Sequence, residues 1–325
     1  MSVPANATDL TPPSGGTTFT LSNGSQIALP PHDEFYRQIT VRNRGLIADD
    51  DQQRLRQSNI LIAGCGSVGG AAVEPLVRMG AENLTLAEPD GYDLHNINRQ
   101  SVRLQDVGRN KAEVFQETMR DINPYASIAV EPHGITPENV ERVVQSASVI
   151  LDAVDVTTKP PLRAKFLLHQ AARRYRKPVI AGYDIAGLQM LLFYDYRNPT
   201  VQTMNGRVRA EEIESISPIE FLYRVIISWP VPPLPLEIIP VMSGQIRGAS
   251  SGFPQVVYTC HLFGVLATRA VLDILAGRPV RTKTMVDVND VLRPAAERAR
   301  VFAARVRGLL QLNSEFRRSR SSRPS

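Results

Sequence analysis

Apolar and polar positions alternate with two different periods between residues 59 and 181. A short, continuous apolar run at 59–63 predicts a strand that is buried on both faces. After a glycine-rich turn, apolar residues recur every three or four positions as far as Met79, which predicts a helix. The alternation then repeats, with predicted strands at 83–88, 128–131, 149–152 and 178–181 and predicted helices at 111–122, 137–146 and 162–174. Strands separated by such helices predict parallel pairing through right-handed crossovers, and thus a doubly wound, Rossmann-like α/β fold with helices on both faces of the sheet.

The pattern changes beyond residue 181. Residues 189–196 predict a further strand, and we expect the C-terminal strands to pair antiparallel. Residues 201–254 are interpreted as a loop-rich crossover or lid, because the prolines between 211 and 254 prevent long regular elements. Helices are then predicted at 258–276, ending at Gly277 and Pro279, and at 294–312.

These patterns divide the chain into four segments. Residues 1–32 are rich in Ser, Thr, Pro, Gly and Asn and predict a flexible N-terminus. Residues 33–280 form the predicted main domain, with the crossover 201–254 inserted in it, and residues 281–312 form a predicted helical extension. Residues 313–325 predict a disordered basic tail, because arginines stand between serines there.

Composition excludes several classes of protein. The chain of 325 residues is 43% hydrophobic, which is enough for a large buried core. Its two cysteines, Cys65 and Cys260, exclude a disulfide framework and a four-cysteine site, so we expect no structural zinc. The start of the chain does not resemble a signal peptide, and the most apolar later segment, 225–236, is too short for a membrane span. We therefore expect a soluble, cytoplasmic protein without membrane contact. The net charge is +5, but several of the arginines lie in the tail, so we do not expect nucleic-acid binding.

A dinucleotide-type glycine turn lies between the first predicted strand and helix. Gly64, Gly66 and Gly69 have the spacing that permits a tight turn, close approach of a phosphate and close helix packing. The N-terminus of the following helix offers unpaired amides and a positive dipole to that phosphate. Glu88 ends the next strand, where a carboxylate can accept the ribose hydroxyls. The turn fits NAD and ATP equally well, and a turn that binds nothing is the alternative.

The polar stretch after Glu88 favours ATP over NAD. Asn96 and Arg99 are three residues apart, so both can project to the same side. An NAD enzyme holds its pyrophosphate by the backbone, whereas a phosphoryl transition state gains from a nearby guanidinium. The stretch therefore indicates chemistry at a phosphate.

At these residues the sequence resembles the ThiF/MoeB/ubiquitin-activating enzyme superfamily. The resemblance is carried by an acid at the strand end, a second acid two residues on, and an Asn, Leu, any residue, Arg, Gln motif; here these are Glu88, Asp90, Asn96, Ile97, Asn98, Arg99 and Gln100. Three further segments are similar to family motifs in the same order: residues 36–39, 108–111 and 152–155. Together they cover about 120 residues.

The resemblance implies ATP-dependent adenylation of a carboxylate, that of the C-terminus of a ubiquitin-like or sulfur-carrier protein, by a homodimer. It assigns Gly64, Gly66, Gly69, Glu88, Asp90 and Asn96 to nucleotide binding and Asp155 to holding Mg²⁺. Arg99 and Lys111 would surround the phosphates, with Arg37 reaching in from a partner subunit, although Arg42 or Arg44 could serve instead. Residues 33–280 would then be the adenylation domain.

The chain departs from the family pattern at several positions. Val154 and Val156 replace the Thr and Asn that flank the metal-binding aspartate. The crossover contains no cysteine for a thioester, and Cys260, just beyond it, is interpreted together with Cys65 as a buried structural residue. Two alternatives remain open at this point: an NAD-dependent oxidoreductase, and a non-catalytic nucleotide-binding scaffold of the same fold.

Overall fold

The computed structural model describes residues 18–21, 23–227, 234–248 and 253–321, and these form one seven-stranded sheet covered by helices. The sheet has the order β5-β4-β3-β6-β7-β8-β9. Its strands are β3 (Asn59–Ala63), β4 (Asn83–Ala87), β5 (Ser127–Glu131), β6 (Val149–Asp152), β7 (Pro178–Ile185), β8 (Leu188–Asp195) and β9 (Lys283–Asp287), and a hairpin of β1 (Thr18–Thr20) and β2 (Gln26–Ala28) stands apart. The strands from β5 to β7 pair parallel, whereas β8 and β9 pair antiparallel, which confirms the predicted fold class.

Helices cover both faces of this sheet. They are α1 (His32–Ile39), α2 (Asp49–Gln57), α3 (Gly70–Arg78), α4 (Lys111–Arg120), α5 (Val140–Ser146), α6 (Lys159–Arg174), α7 (Pro218–Leu222), α8 (Ile239–Ile246), α9 (Val257–Leu275), α10 (Val288–Leu292) and α11 (Ala295–Ser321). The crossover consists of α7, α8 and short 3-10 and π turns, and its residues 228–233 and 249–252 lie outside the described residues.

Two hydrophobic cores lie on the two faces, because successive residues of a strand point to opposite sides. Ile60 and Ile62 of β3 pack with α3, α4 and α9, whereas Leu61 and Ala63 pack with α5, α6 and the crossover. All four side chains are fully buried. The continuous apolar run seen in the sequence therefore reflects a central strand with a core on each side.

Helix α9 is long and apolar enough to cross a membrane, with a mean hydropathy of 1.3 in its most apolar window. In this fold it packs against α3, β7 and β8, and 56% of that window is buried. Gly264 allows the close approach to α3, since a Cβ there would lie 2.0 Å from the carbonyl oxygen of Ala71. The structure thus uses α9 as a core helix.

The predicted ends of the chain need correction. Residues 281–312 were expected to be helical only, but they contain the edge strand β9, whose mixed residues gave no clear strand pattern. Helix α11 continues to Ser321, into the segment expected to be disordered, because Leu312 and Phe316 are buried and Phe316 stacks on Tyr223 at 4.1 Å. At the start, the β1–β2 hairpin orders part of the segment expected to be flexible; residues 1–17, 22 and 322–325 lie outside the described residues.

Candidate active site

A cavity of about 1210 Å³ opens at the carboxyl ends of the parallel strands. Strand order reverses between β3 and β6, and ligands of open α/β sheets bind outside such a switch point. One part of the cavity, the phosphate lobe, is lined by Gly64, Gly66, Glu88, Arg99, Lys111 and Asp155. The other part, the crossover lobe, is lined by Tyr183, Asp184 and Ile185 of β7 and by Leu234, Met242 and Phe253 of the crossover.

The glycine turn of the phosphate lobe leaves no room for side chains at two of its three glycines. Gly64 has a φ of +86°, and a Cβ there would lie 2.4 Å from the carbonyl oxygen of Ala153. A Cβ at Gly69 would lie 1.9 Å from the carbonyl oxygen of Gly64. At Gly66 the nearest atom would be the Gln100 side-chain nitrogen at 4.0 Å, so this glycine presents bare backbone to the cavity. The turn is therefore shaped for a ligand at Gly66 and for packing at the other two.

Glu88 ties the glycine turn to the end of β4. Its side chain is buried, and its two oxygens accept the backbone N–H groups of Cys65 at 2.6 Å and Asp90 at 2.9 Å. Burial raises the pKa of Glu88, while the Lys111 ammonium acts in the opposite direction. A carboxylate oxygen can accept more than one hydrogen bond. The predicted ribose contact therefore stays a prediction, and the structure adds a role in holding the turn.

Lys111 brings a largely buried ammonium to the same lobe. It is the first residue of α4, whose N-cap Asn110 accepts the N–H groups of Ala112 and Glu113. Only 8% of Lys111 is exposed, and its Nζ lies 3.7 Å from a carboxylate oxygen of Asp90, whose side chain is 72% exposed. This loose ion pair leaves the ammonium able to bind an anionic ligand in the cavity.

Asn96 and Arg99 both line the cavity, as the sequence predicts. Asn96 is buried in a 3-10 turn, where its side-chain oxygen accepts the N–H of Asp93 at 3.0 Å. The Arg99 Nε donates to the side-chain oxygen of Gln255 at 2.6 Å. Gln255 lies between the crossover and α9, so the crossover helps to orient the guanidinium; the sequence gave no signal for this contact.

Asp155 lies exposed at the cavity, and both of its oxygens accept hydrogen bonds from Thr157, from the N–H at 3.0 Å and from the hydroxyl at 2.5 Å. The described residues contain no cluster of three or more potential metal ligands. Mg²⁺ in nucleotide sites is commonly held by one or two carboxylates together with phosphate oxygens and water. A single exposed carboxylate beside the phosphate lobe fits that donor set.

Arg37 does not join this group within the chain. It lies on α1 with 64% of its side chain exposed, and it pairs with Glu34 of the same helix. Arg42 and Arg44, the alternatives, lie nearby and outside the cavity lining. Gly69 packs behind the turn instead of lining the cavity. The other predicted site residues are brought together at the cavity.

A buried charged network under the 153–155 turn escaped the sequence analysis. Asp152 accepts from the Lys165 Nζ at 2.7 Å and from the His169 Nε2 at 2.9 Å. Burial alone would raise the pKa of Asp152, but Lys165 and His169 outweigh it and hold this pKa below its usual value. Burial lowers the pKa of His169, so the neutral ring donates to Asp152 and accepts from the Tyr196 hydroxyl at 2.7 Å. The network fixes the end of β6, from which Asp155 projects.

Neither cysteine has the surroundings of a nucleophile. Cys65 and Cys260 are fully buried, and burial raises the pKa of both thiols. The Cys260 thiol donates to a carboxylate oxygen of Asp184 at 2.8 Å, which also favours the protonated form. These surroundings support the interpretation of both as structural residues.

Comparison with known proteins gives one consistent relationship. The profile of the ThiF family matches residues 37–307. The chain is 26% identical over 265 residues to the adenylyltransferase and sulfurtransferase MOCS3 of Drosophila sechellia, covering 81% of this chain and 50% of that protein. It is 27% identical over 177 residues to the sulfur carrier protein adenylyltransferase of Thermus thermophilus, covering 54% of this chain and 61% of that protein.

The fold is shared with solved structures. The tRNA N6-threonylcarbamoyladenosine dehydratase TcdA of E. coli superposes with a TM-score of 0.55 at 22% identity, covering 75% of this chain and 96% of TcdA. A structure of TcdA in complex with ATP superposes with a TM-score of 0.53. The chain spans about half the length of the curated relatives that it matches. With a family profile that covers most of its length, the chain belongs to the ThiF family.

Proposed function

We propose that this protein uses MgATP to adenylate the C-terminal glycine carboxylate of a ubiquitin-like or sulfur-carrier protein. The observation that carries the proposal is the convergence of Lys111 and Arg99 on the cavity beside the bare backbone of Gly66. Two relatives are named for adenylyl transfer, and one of them for a sulfur carrier protein. A neighbour in fold, MccB of E. coli, has been solved together with MccA-N7isoASN.

In the proposed reaction, a carboxylate oxygen of the substrate attacks the α-phosphorus of ATP. The bond from that phosphorus to the bridging oxygen breaks, and pyrophosphate leaves with the electron pair. A carboxylate is already ionised at neutral pH, so the site needs no general base. Catalysis then depends on alignment and on neutralising the charge of the phosphates.

Three charged residues and the glycine turn of the phosphate lobe have parts in this scheme. The backbone at Gly66 and the N-terminus of α3 would receive the phosphates. Lys111 and Arg99 would offset their negative charge, the first released from its loose pairing with Asp90 and the second held in direction by Gln255. Asp155 would hold Mg²⁺, which would supply positive charge beside the phosphates.

The proposal includes a homodimer in the cytoplasm. Arg37 is exposed, and within the described residues its one ion pair is with Glu34 on the same helix. Its side chain can therefore extend toward a second subunit. Both cysteines are free thiols, as a reducing compartment would leave them.

Pyrophosphate exchange tests the proposal. Purified protein, MgATP, labelled pyrophosphate and small proteins that end in Gly-Gly should together produce labelled ATP. Lys111→Ala should lower the exchange rate by about 100-fold or more, since it removes a charge directed at the phosphates. Lys177→Ala is the matched control, because Lys177 directly precedes the amino end of β7, and the cavity lies at the carboxyl ends of the parallel strands.

Tight MgATP binding without exchange for any such carrier would remove the adenylation proposal and favour a scaffold. Stabilisation by NAD and not by MgATP would favour an oxidoreductase; a ligand at about 100 times its Kd adds about 2.7 kcal/mol, which a thermal shift detects.

A further inference from the structure

The crossover lobe contains one acid with an unused hydrogen-bonding atom. Asp184, near the end of β7, accepts the Cys260 thiol through one carboxylate oxygen at 2.8 Å. Its other oxygen is buried and accepts no hydrogen bond from the described residues. Leaving a buried acceptor unpaired costs about 1–3 kcal/mol, so such an atom in a cavity wall indicates a donor that arrives with a ligand.

The residues that line the cavity with Asp184 indicate the chemistry of that ligand. The cavity that Asp184 lines also has apolar walls, formed by Ile185 of β7 and by Leu234, Met242 and Phe253 of the crossover. An extended, mostly uncharged chain with one well-placed N–H group matches such walls.

Asp184 also lies close to the place of reaction. Ser67 of the glycine turn contacts the Cys260 thiol, which donates to Asp184, and it also hydrogen-bonds Gln255, the partner of Arg99. The Arg99 guanidinium interacts electrostatically with the Asp184 carboxylate. Asp184 is therefore connected to Arg99 through Cys260, Ser67 and Gln255.

Burial raises the pKa of Asp184 to about 7, against the opposing effects of Cys260 and Arg99. A donor from a ligand would stabilise the ionised form, which burial disfavours. A hydrogen bond from a ligand would therefore stabilise the ionised Asp184 more than it would stabilise an exposed carboxylate.

We infer that Asp184 is the residue that recognises the acyl substrate, by accepting the backbone N–H next to the terminal carboxylate of a peptide chain that lies in the crossover lobe. This contact would distinguish the peptide C-terminus of the proposed function from a simple fatty or keto acid, which lacks that N–H. This inference rests on the proposed adenylation.

Two adenylate analogues that differ in one group test it. In 5′-O-[N-(N-acetylglycyl)sulfamoyl]adenosine the sulfamoyl group replaces the phosphate and the acyl part carries the N–H. The 4-oxopentanoyl analogue has a CH₂ in its place and is otherwise the same shape. Calorimetry at pH 8 should show the wild type binding the first about ten- to 100-fold tighter, as hydrogen bonds to charged groups allow.

Asp184→Ala should bind the two analogues with nearly equal affinity, while its affinity for AMP stays unchanged and shows that the nucleotide site is intact. Asp184→Asn, which keeps an acceptor oxygen, should retain part of the preference. Asp121→Ala, at the exposed end of α4, is the matched control and should keep all of it.

A wild type that binds both analogues equally would overturn the inference and leave the proposed function standing, whatever the variants do. If Asp184→Ala loses affinity for both analogues and for AMP together, and the wild type shows no preference between the analogues, Asp184 has a structural role. Failure of the wild type to bind ATP and either analogue would overturn the proposed function itself, and the inference with it.

Discussion

The two lobes of the cavity differ in how much space the fold leaves around the groups that line them. In the phosphate lobe, Gly64 and Gly69 have no space for a methyl group, and both oxygens of Glu88 have backbone donors. In the crossover lobe, a carboxylate oxygen of Asp184 is unpaired and Phe253 is partly exposed. A common cofactor can be bound by a rigid backbone frame, whereas a surface that selects one acyl partner keeps a polar atom for that partner. We therefore expect mutations in the first lobe to change stability and mutations in the second to change selectivity.

The largest effect is expected beneath the phosphate lobe. Lys165→Met leaves the buried Asp152 without its closest positive charge, and breaking a buried pair in this way costs about 3–5 kcal/mol. Urea unfolding followed by circular dichroism measures the loss. Arg163 lies on the same helix as Lys165 and forms an exposed ion pair with Glu214. Arg163→Met should therefore change the free energy of unfolding by less than about 1 kcal/mol. Equal effects of the two variants would show that the Asp152 network does not support the turn.

Gly69→Ala should come next, with a loss of about 3 kcal/mol, because its methyl group would overlap the carbonyl oxygen of Gly64 and must displace the backbone. The expected readout is a lower melting temperature by scanning calorimetry. A variant as stable as the wild type would mean that the turn is less rigid than its geometry indicates.

Asp184→Asn should change the pH dependence of stability in the crossover lobe. The pKa of Asp184 is raised to about 7 in the fold, so the stability that its protonated form provides is present at low pH and lost as pH rises toward 7 and beyond. The neutral asparagine avoids this loss. The variant should therefore gain about 2 kcal/mol relative to the wild type between pH 4 and pH 8, roughly half of what the full shift allows.

Urea unfolding at the two pH values measures that gain, and Asp121→Asn should show none. If the free energies of unfolding of Asp184→Asn and the wild type differ by the same amount at both pH values, the Asp184 carboxylate is in contact with water.

The smallest effect on stability is expected for Phe253→Ala, about 1 kcal/mol or less, because its ring is only partly buried in the cavity wall. Its effect should appear in binding of the N-acetylglycyl analogue and not of AMP. Phe263→Ala, whose ring is fully buried against Gly182 of β7, should instead cost about 3–5 kcal/mol. Similar losses for the two phenylalanines would contradict the division between the lobes.

What the sequence predicted follows the same division. The strand, turn and helix from Asn59 to Arg78 are local, and their glycines carry the pattern wherever the rest of the chain lies. Arg99 was predicted from the polar stretch that follows Glu88, and Lys111 from the resemblance of residues 108–111 to a family motif. Most of the sequence features that predict the phosphate lobe therefore lie within about 60 adjacent residues.

The remaining site residues depend on contacts across long stretches of chain. Gln255 meets Arg99 from 156 positions away, and Cys260 meets Asp184 from 76. Lys165 and His169 have the sequence appearance of polar helix residues, and only the fold shows that they are buried. Strand β9 forms because β8 offers it an edge, a circumstance that its own five residues do not encode.

The central claim, that the glycine turn of this chain receives the phosphates of ATP, is tested most directly by the MgATP affinity of Gly66→Ala. The new methyl group has space within the protein but occupies the backbone surface that the phosphates need. Calorimetry should show that the wild type binds MgATP and not NAD, and that the variant binds MgATP about tenfold weaker or more, with a nearly unchanged melting temperature. Undiminished MgATP affinity in the variant, or binding of NAD alone by the wild type, would contradict the account.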